Sequence, residues 1–152
     1  MFKGNVASIH IATAIGEPTT AVAEVRAIPG KGLVGDRNYT EAGTKAGEQI
    51  TLIEREALDA LNEESGIQLA PGESRRNIET SGVPLNHLVG QEFTVGEVRL
   101  RGIRLCEPCQ TLAGMTNARV LPGLVHRGGL RAEILSEGVI RPGDVIAAAG
   151  ER

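Results

Sequence analysis

The sequence predicts a mainly β protein with a few short helices, an α+β chain, and three observations carry that expectation. Twenty glycines and seven prolines among 152 residues punctuate the chain at close spacing, which favours short strands and tight turns over a helical bundle. Several short stretches alternate apolar and polar residues, the period of a half-buried strand. Aromatic residues make up only 2% of the chain, so Val, Ile, Leu and Ala must fill the core. The length is that of one domain, 1–152, able to bury most of its apolar surface without a disulfide or a metal.

Taken in order, "NVASIHIATA" and "TTAVAEVRAI" read as strands, with Gly16-Glu17-Pro18 turning between them. "IPGKGLVGDRNYTEAGTKAGEQ" is glycine-dense and poor in apolar residues, so it reads as a long loop, a kind of segment that commonly carries function. "ITLIEREALDALNEESGI" begins apolar and turns helical, with Ala57, Leu58 and Leu61 at helical spacing and Gly66 as the stop. "APGESRRNIETSG" reads as a turn followed by a short polar element, one helical turn bounded by Gly82. "VPLNHLVGQEFTVGEVRLRGIRL" alternates through Phe93, Val95, Val98 and Leu100, and Gly96-Glu97 makes it a hairpin. His87, after Asn86, falls in a short helix and reads as structural. "CEPCQTLAGM" starts a helix, and residues 124–149 supply two more strands around a type II turn at Arg141-Pro142-Gly143-Asp144. Six or seven close-spaced strands fit a barrel-like domain.

The net charge of −3 conceals a segregation. Residues 1–74 hold six Lys/Arg against eleven Asp/Glu, whereas residues 75–131 hold eight arginines, no lysine and four glutamates. Arginine's planar fork suits phosphate and carboxylate, so an anion is expected around 75–131; about half of these arginines read equally well as solvated residues on strand faces. Nucleic acid is excluded as that anion by the overall acidity and the scarcity of aromatics for base stacking. The chain start never sustains an apolar run between basic residues, and no segment is long and apolar enough for a bilayer. With a C-x-x-C pair in place of a disulfide framework, the cytoplasm is the expected compartment and no membrane the expected partner.

Both cysteines lie in "RLCEPCQTL" (104–112). A structural zinc needs four ligands, and His10, His87 and His126 show no paired spacing. A thioredoxin-like dithiol needs a βαβ setting, whereas a hairpin strand leads into Cys106. Position favours Cys109: a strand runs to Leu105, proline suits a first helical turn, and Cys109 then meets free backbone N–H groups. Arg104, with Arg127 or Arg131, is expected to favour its thiolate, which makes Cys109 a nucleophile or a ligand for a soft metal. The alternative is that both cysteines pack as small apolar residues.

Four stretches in order resemble the MOSC domain family, named for the C-terminal part of molybdenum cofactor sulfurases, in its short free-standing bacterial form. They are "GLVGDRN" (32–38), "RRNIETSGVPLNHLVGQEFTVGEVRL" (75–100), "RLCEPCQTL", and "HRGGLRAEIL…GVIRPGDVI" (126–146). The likeness covers roughly residues 20–148. It implies a distorted β-barrel with Cys109 as the working thiolate, either a molybdenum ligand or a persulfide-carrying sulfur, and Cys106 as its assistant. It implies molybdenum cofactor (molybdopterin), an anionic pterin, as the ligand, with Arg76 and Asn77 as binders and Arg75, Arg37, His126 and Arg127 as further candidates. The activity implied is two-electron reduction of N-oxygenated substrates with an electron-donor reductase, or sulfur transfer from a sulfur-donor desulfurase. A non-catalytic anion-binding module is the third reading, and a homodimer is the expected assembly. The sequence departs from the family in having Asn38 where many relatives have histidine after GDR, and it holds no pyridoxal-phosphate domain.

Overall fold

Strands with every second residue apolar can hide those residues by closing on themselves or by packing under another layer, and this chain does both. The computed structural model describes residues 2–149, without the side chains of residues 110 and 111. Its strands are β1 (Lys3–Ile11), β2 (Thr20–Ala21), β3 (Val25–Ile28), β4 (Gly32–Leu33), β5 (Ile50–Glu54), β6 (Ile78–Ser81), β7 (Glu92–Val95), β8 (Val98–Leu105), β9 (Leu130–Ile134), β10 (Gly138–Ile140) and β11 (Val145–Ala148). Three helices join them, α1 (Arg55–Ser65), α2 (Gln110–Met115) and α3 (Val120–Gly123). Seven strands close a barrel in the order β11-β7-β8-β9-β5-β6-β1, with β1 returning to β11. A small sheet, β10-β3-β4, stands beside it. The mainly β barrel expected from the sequence is the fold.

Alternation sorts the side chains into two apolar clusters. The barrel interior takes Ile9, Leu52, Ile78, Phe93, Leu100 and Leu130. Their neighbours on the outer wall, Ile53 among them, pack with Leu58, Leu61, Leu69, Leu112 and Leu124 under the three helices. This second layer is what places α2, and with it the cysteine motif, against the outside of the barrel. Gly66 ends α1 in the left-handed conformation, its N–H donating to the Asn62 carbonyl at 3.0 Å, as its position in the sequence predicts.

The structure corrects several local expectations. Residues 78–81 form a strand where a helical turn was expected, and β6 lies parallel to β5 through the α1 crossover. Its polar letters hid it: Glu79 and Thr80 are fully buried, Glu79 on the outer wall beside Ser8 and Thr80 facing inward beside Val6, its hydroxyl donating to the Ile53 carbonyl at 3.4 Å. The stretch 19–28 splits, β2 pairing with β1 and β3 with β10. The region after residue 124 gives three strands, not two, and the long loop contains β4 and a 3₁₀ turn at Ala46–Glu48.

Gly102 on β8 meets the 88–91 turn: Gly90 N–H donates to its carbonyl at 2.8 Å, and its own N–H donates to the Gln91 carbonyl at 3.0 Å. A Cβ at this position would overlap the Leu88 carbonyl. Gly102→Ala is therefore expected to cost about 1–3 kcal/mol, the range of an overpacked site, read as a lower urea midpoint at constant slope.

Candidate functional site

The cysteine motif is fixed from beneath by one side chain. Arg76, only 7% exposed, follows the turn before β6 and points under the 106–108 loop. Its Nε donates to the Gly128 carbonyl at 2.8 Å, and Nη2 donates to the carbonyls of Cys106 at 2.8 Å and Glu107 at 3.4 Å. Nη1 donates to the Ser74 carbonyl at 3.2 Å. No carboxylate neutralises it among the described residues, so a buried positive charge is held by main-chain oxygens alone. Burial pushes its pKa down first; the proximity of Cys106 opposes this, Arg131 adds to it, Cys109 opposes, and Arg37 adds. Gly128 must be small here, because a Cβ would press on the Cys106 carbonyl and Pro108.

That arrangement separates the two thiols. Cys106 is 3% exposed, and its N–H extends the β8–β9 ladder by donating to the Gly129 carbonyl at 2.7 Å. Cys109 is exposed and stands at the N-cap of α2, one residue before the helix. Pro108 lies outside the helix rather than in its first turn. Three of the sequence stretches meet at this point, since Arg76, Gly128 and the cysteines come from different ones. His126 joins them through Glu107, whose carboxylate accepts from the His126 N–H at 2.7 Å and lies 3.1 Å from its Nδ1.

Arg75 and Arg76 diverge. Arg75 takes a left-handed φ of 64°, which turns its side chain away from its neighbour's direction. It lines a cleft of about 230 Å³ with Thr19, Gly72, Glu73, Met115 and Thr116. Its Nη1 donates to the Glu17 carbonyl at 2.6 Å. Arg37 supports it from behind, donating through Nη2 to the Arg75 carbonyl at 3.0 Å while pairing with Asp36 at 3.2 Å. Asp36 orients Arg37 and also accepts from the Asn38 N–H at 3.3 Å as a turn residue. The cleft sits at the far end of α2; at 1.5 Å rise per residue, Met115 is about 9 Å from Cys109 along the axis.

Two residues implied as binders are spent inside the protein. Asn77 is 2% exposed; its Oδ1 accepts from the Thr51 N–H and hydroxyl, both at 3.1 Å, and its Nδ2 donates to the His10 carbonyl at 3.1 Å. It ties β1, β6 and β5 together. Arg127 bridges α3 to α1, donating to the Gly123 carbonyl and to Glu64, both at 2.7 Å.

Sequence reasoning missed the network under the Arg75 turn. Glu79 Oε2 accepts from the Gly72 N–H at 2.7 Å, Glu79 Oε1 accepts from Arg55 at 2.7 Å, and His10 Nε2 lies 2.8 Å from the Ser8 hydroxyl. Thr19 closes the turn from the side by donating to the Gly72 carbonyl at 2.7 Å. Burial lowers the His10 pKa, Glu79 opposing and Arg55 adding to the effect. The available signal was Glu79 itself, an acid on a segment that otherwise lies at buried positions.

Comparison with known proteins places this geometry. A family model for the MOSC domain matches residues 32–147. The chain belongs to the MOSC domain family. Among solved structures, this MOSC chain is similar to the YuaD protein from Bacillus subtilis, with a TM-score of 0.80, 16% identity, and coverage of 96% of this chain and 97% of that one. It is similar to YiiM from Geobacillus stearothermophilus at a TM-score of 0.72 and 20% identity, covering 96% and 75%. YiiM from Escherichia coli gives 0.65 and 18%, covering 100% and 71%. At these identities the likeness shows the shared fold. A search of curated protein sequences found no match.

Two outcomes follow from the geometry. Arg76→Gln should destabilise the fold by about 2 kcal/mol or more, because several buried carbonyls lose their donor, and Cys106 should become open to alkylation; urea unfolding and thiol labelling read both. His10 has a depressed folded pKa, so its contribution is complete above 6.5, its unfolded value, and is lost as pH falls below that toward the folded value. Stability measured from pH 8 to pH 5, a range spanning that value, should fall on the acid side, and His10→Gln should remove this component.

Proposed function

We propose that this MOSC protein binds molybdenum cofactor, with the Cys109 thiolate as metal ligand and arginines holding the anionic pterin part. The observation that carries this reading is an exposed thiol at the end of a loop whose backbone is held by a buried guanidinium that no carboxylate neutralises. Of the eight arginines in 75–131, Arg99 and Arg101 pair with Glu92 and Arg127 with Glu64. Arg75, Arg76, Arg104, Arg119 and Arg131 have no carboxylate partner among the described residues; Arg119 stands at the start of α3, and Arg75 and Arg76 are the two on which the cofactor reading draws.

The donor set fits the group. Among the described residues no three His, Cys, Asp or Glu side chains gather to hold a metal ion. A metal here must bring ligands of its own, as molybdopterin does, and one soft thiolate completes them. Arg75, facing the cleft and backed by Arg37, is the fork available to an oxyanion. Arg76 and Asn77 act through position: Arg76 fixes the backbone that presents Cys109, and Asn77 fixes the start of β6 that carries both arginines. When bound, the cofactor supplies a metal able to exchange two electrons with a substrate, N-oxygenated compounds being the proposed class and a reductase the electron source. The protein's part is to orient and to bind, in the cytoplasm.

A second reading is favoured by the same exposure. A thiolate at the protein surface can attack the outer sulfur of a desulfurase's own cysteine persulfide, forming a Cys109 persulfide as that S–S bond breaks and the desulfurase thiolate leaves, and can pass the sulfur on by the same exchange.

Purification from a cofactor-proficient host decides between them. Cofactor binding predicts near-equimolar molybdenum and pterin, with metal lost in Cys109→Ser and pterin weakened in Arg75→Gln. A mass increase of one sulfur, removed by reductant and absent in Cys109→Ser, with no molybdenum, replaces the first reading by the second.

A further inference from the structure

A second cationic feature lies outside the Arg75 cleft. Arg104 on β8 and Arg131 on β9 are direct cross-strand partners, a register in which like charges repel. Their guanidiniums converge on one buried glycine of the 3₁₀ turn. Arg131 Nη1 donates to the Gly47 carbonyl at 3.2 Å. The Arg104 guanidinium occupies the place where a side chain at residue 47 would begin, Nη1 nearest. Neighbouring arginines on the same strands are treated differently: Arg99 and Arg101 have Glu92 and Glu133 beside them. The next residue across on β5 is Thr51, whose hydroxyl is already taken by Asn77, so it offers no competing acceptor. The buried charge of Arg76 lies close enough to feel Arg131. Two forks held side by side, with a third positive charge behind them, form an arrangement that an oxyanion relieves.

We propose that Arg104, Arg131 and the Gly47 turn form an oxyanion site for a dianionic phosphate-type group, either free phosphate or the phosphate of a larger ligand. Two uncompensated forks match the charge and the several acceptor oxygens of such a group better than those of a monocarboxylate. The site shares no residue with the Arg75 cleft and stands apart from the cofactor reading. Gly47 is the residue that makes it possible, because any side chain there would drive Arg104 away.

Calorimetric titration of the intact protein with inorganic phosphate, with an aryl phosphate monoester and with benzoate tests the site. Phosphate-type ligands should bind and benzoate should bind more weakly. Arg104→Gln and Arg131→Gln should each weaken phosphate binding by about tenfold, the loss of one charge-assisted contact. Arg99→Gln, which removes the same charge from the same strand, should change nothing. Tighter binding of the monoester assigns the group to a larger ligand, tighter binding of phosphate assigns it to the free ion, and either upholds the site. Absence of binding, unaltered binding in the two variants, or an equal loss in Arg99→Gln overturns it. Cys109→Ser should bind phosphate as the unaltered chain does, so failure of the cofactor reading would leave this result standing.

Discussion

The buried guanidinium of Arg76 is the constraint on which the candidate site depends. A carboxylate partner would have satisfied its donors and cancelled its charge together. Main-chain carbonyls satisfy the donors and leave the charge, and in a low-dielectric surrounding an uncancelled charge acts at longer range than in water. The cost of burying it is met by near-complete hydrogen bonding, from Ser74, Cys106, Glu107 and Gly128. Because those acceptors belong to separate segments, one side chain both aligns the cysteine loop and gives it a positive floor. Lysine could not do this; its ammonium lacks the planar fork that reaches several carbonyls at once.

Holding Arg76 in place requires rigid support at the start of β6, and the chain provides it with polar residues at strand positions. Asn77 and Glu79 are buried on the outer wall of the barrel, where Thr51, Arg55, Gly72 and His10 supply their partners, and the inward-facing Thr80 donates to the Ile53 carbonyl. This explains why β6 was illegible. Strand recognition relies on apolar alternation, and here only Ile78 shows it; the other positions are satisfied by groups up to 67 residues away in sequence, the His10 carbonyl being the farthest. Where burial is apolar the alternation was readable, as in the β7–β8 hairpin, where Val95 pairs with Val98 across Gly96-Glu97.

The site was legible in residue type and less so in direction. The sequence singled out Cys109 by its place before a helix and marked the 75–131 segment as cationic, and the structure exposes Cys109 while burying Cys106. It could not say that two adjacent arginines part company. The left-handed φ of Arg75 is imposed by tertiary clamps on the turn, Glu79 on the Gly72 N–H and Thr19 on its carbonyl, and no local pattern in "GESRRN" announces it. As a result the arginine facing the cleft is Arg75, whereas Arg76 faces inward. Arg104 and Arg131 were readable as charges, but their convergence on Gly47 depends on the β8–β9 register, which a bulge between Gly102 and Arg104 resets.

The division of charge along the chain acquires a physical meaning in this geometry. The acidic residues of the first half lie largely on α1 and exposed loops, and the strand arginines far from the motif are matched by Glu92 and Glu133. Positive charge is therefore matched on the strands far from the motif and unmatched at Arg76, under the cysteine loop. A protein of net charge −3 repels polyanions at long range, where only net charge matters. Within about 10 Å, the screening length at 0.1 M salt, the local arginines dominate instead. Charge of this range acts on a small anion that has already reached the motif and not on a distant one. A compact ligand carrying its own negative group next to a soft centre is the kind of partner that this field admits.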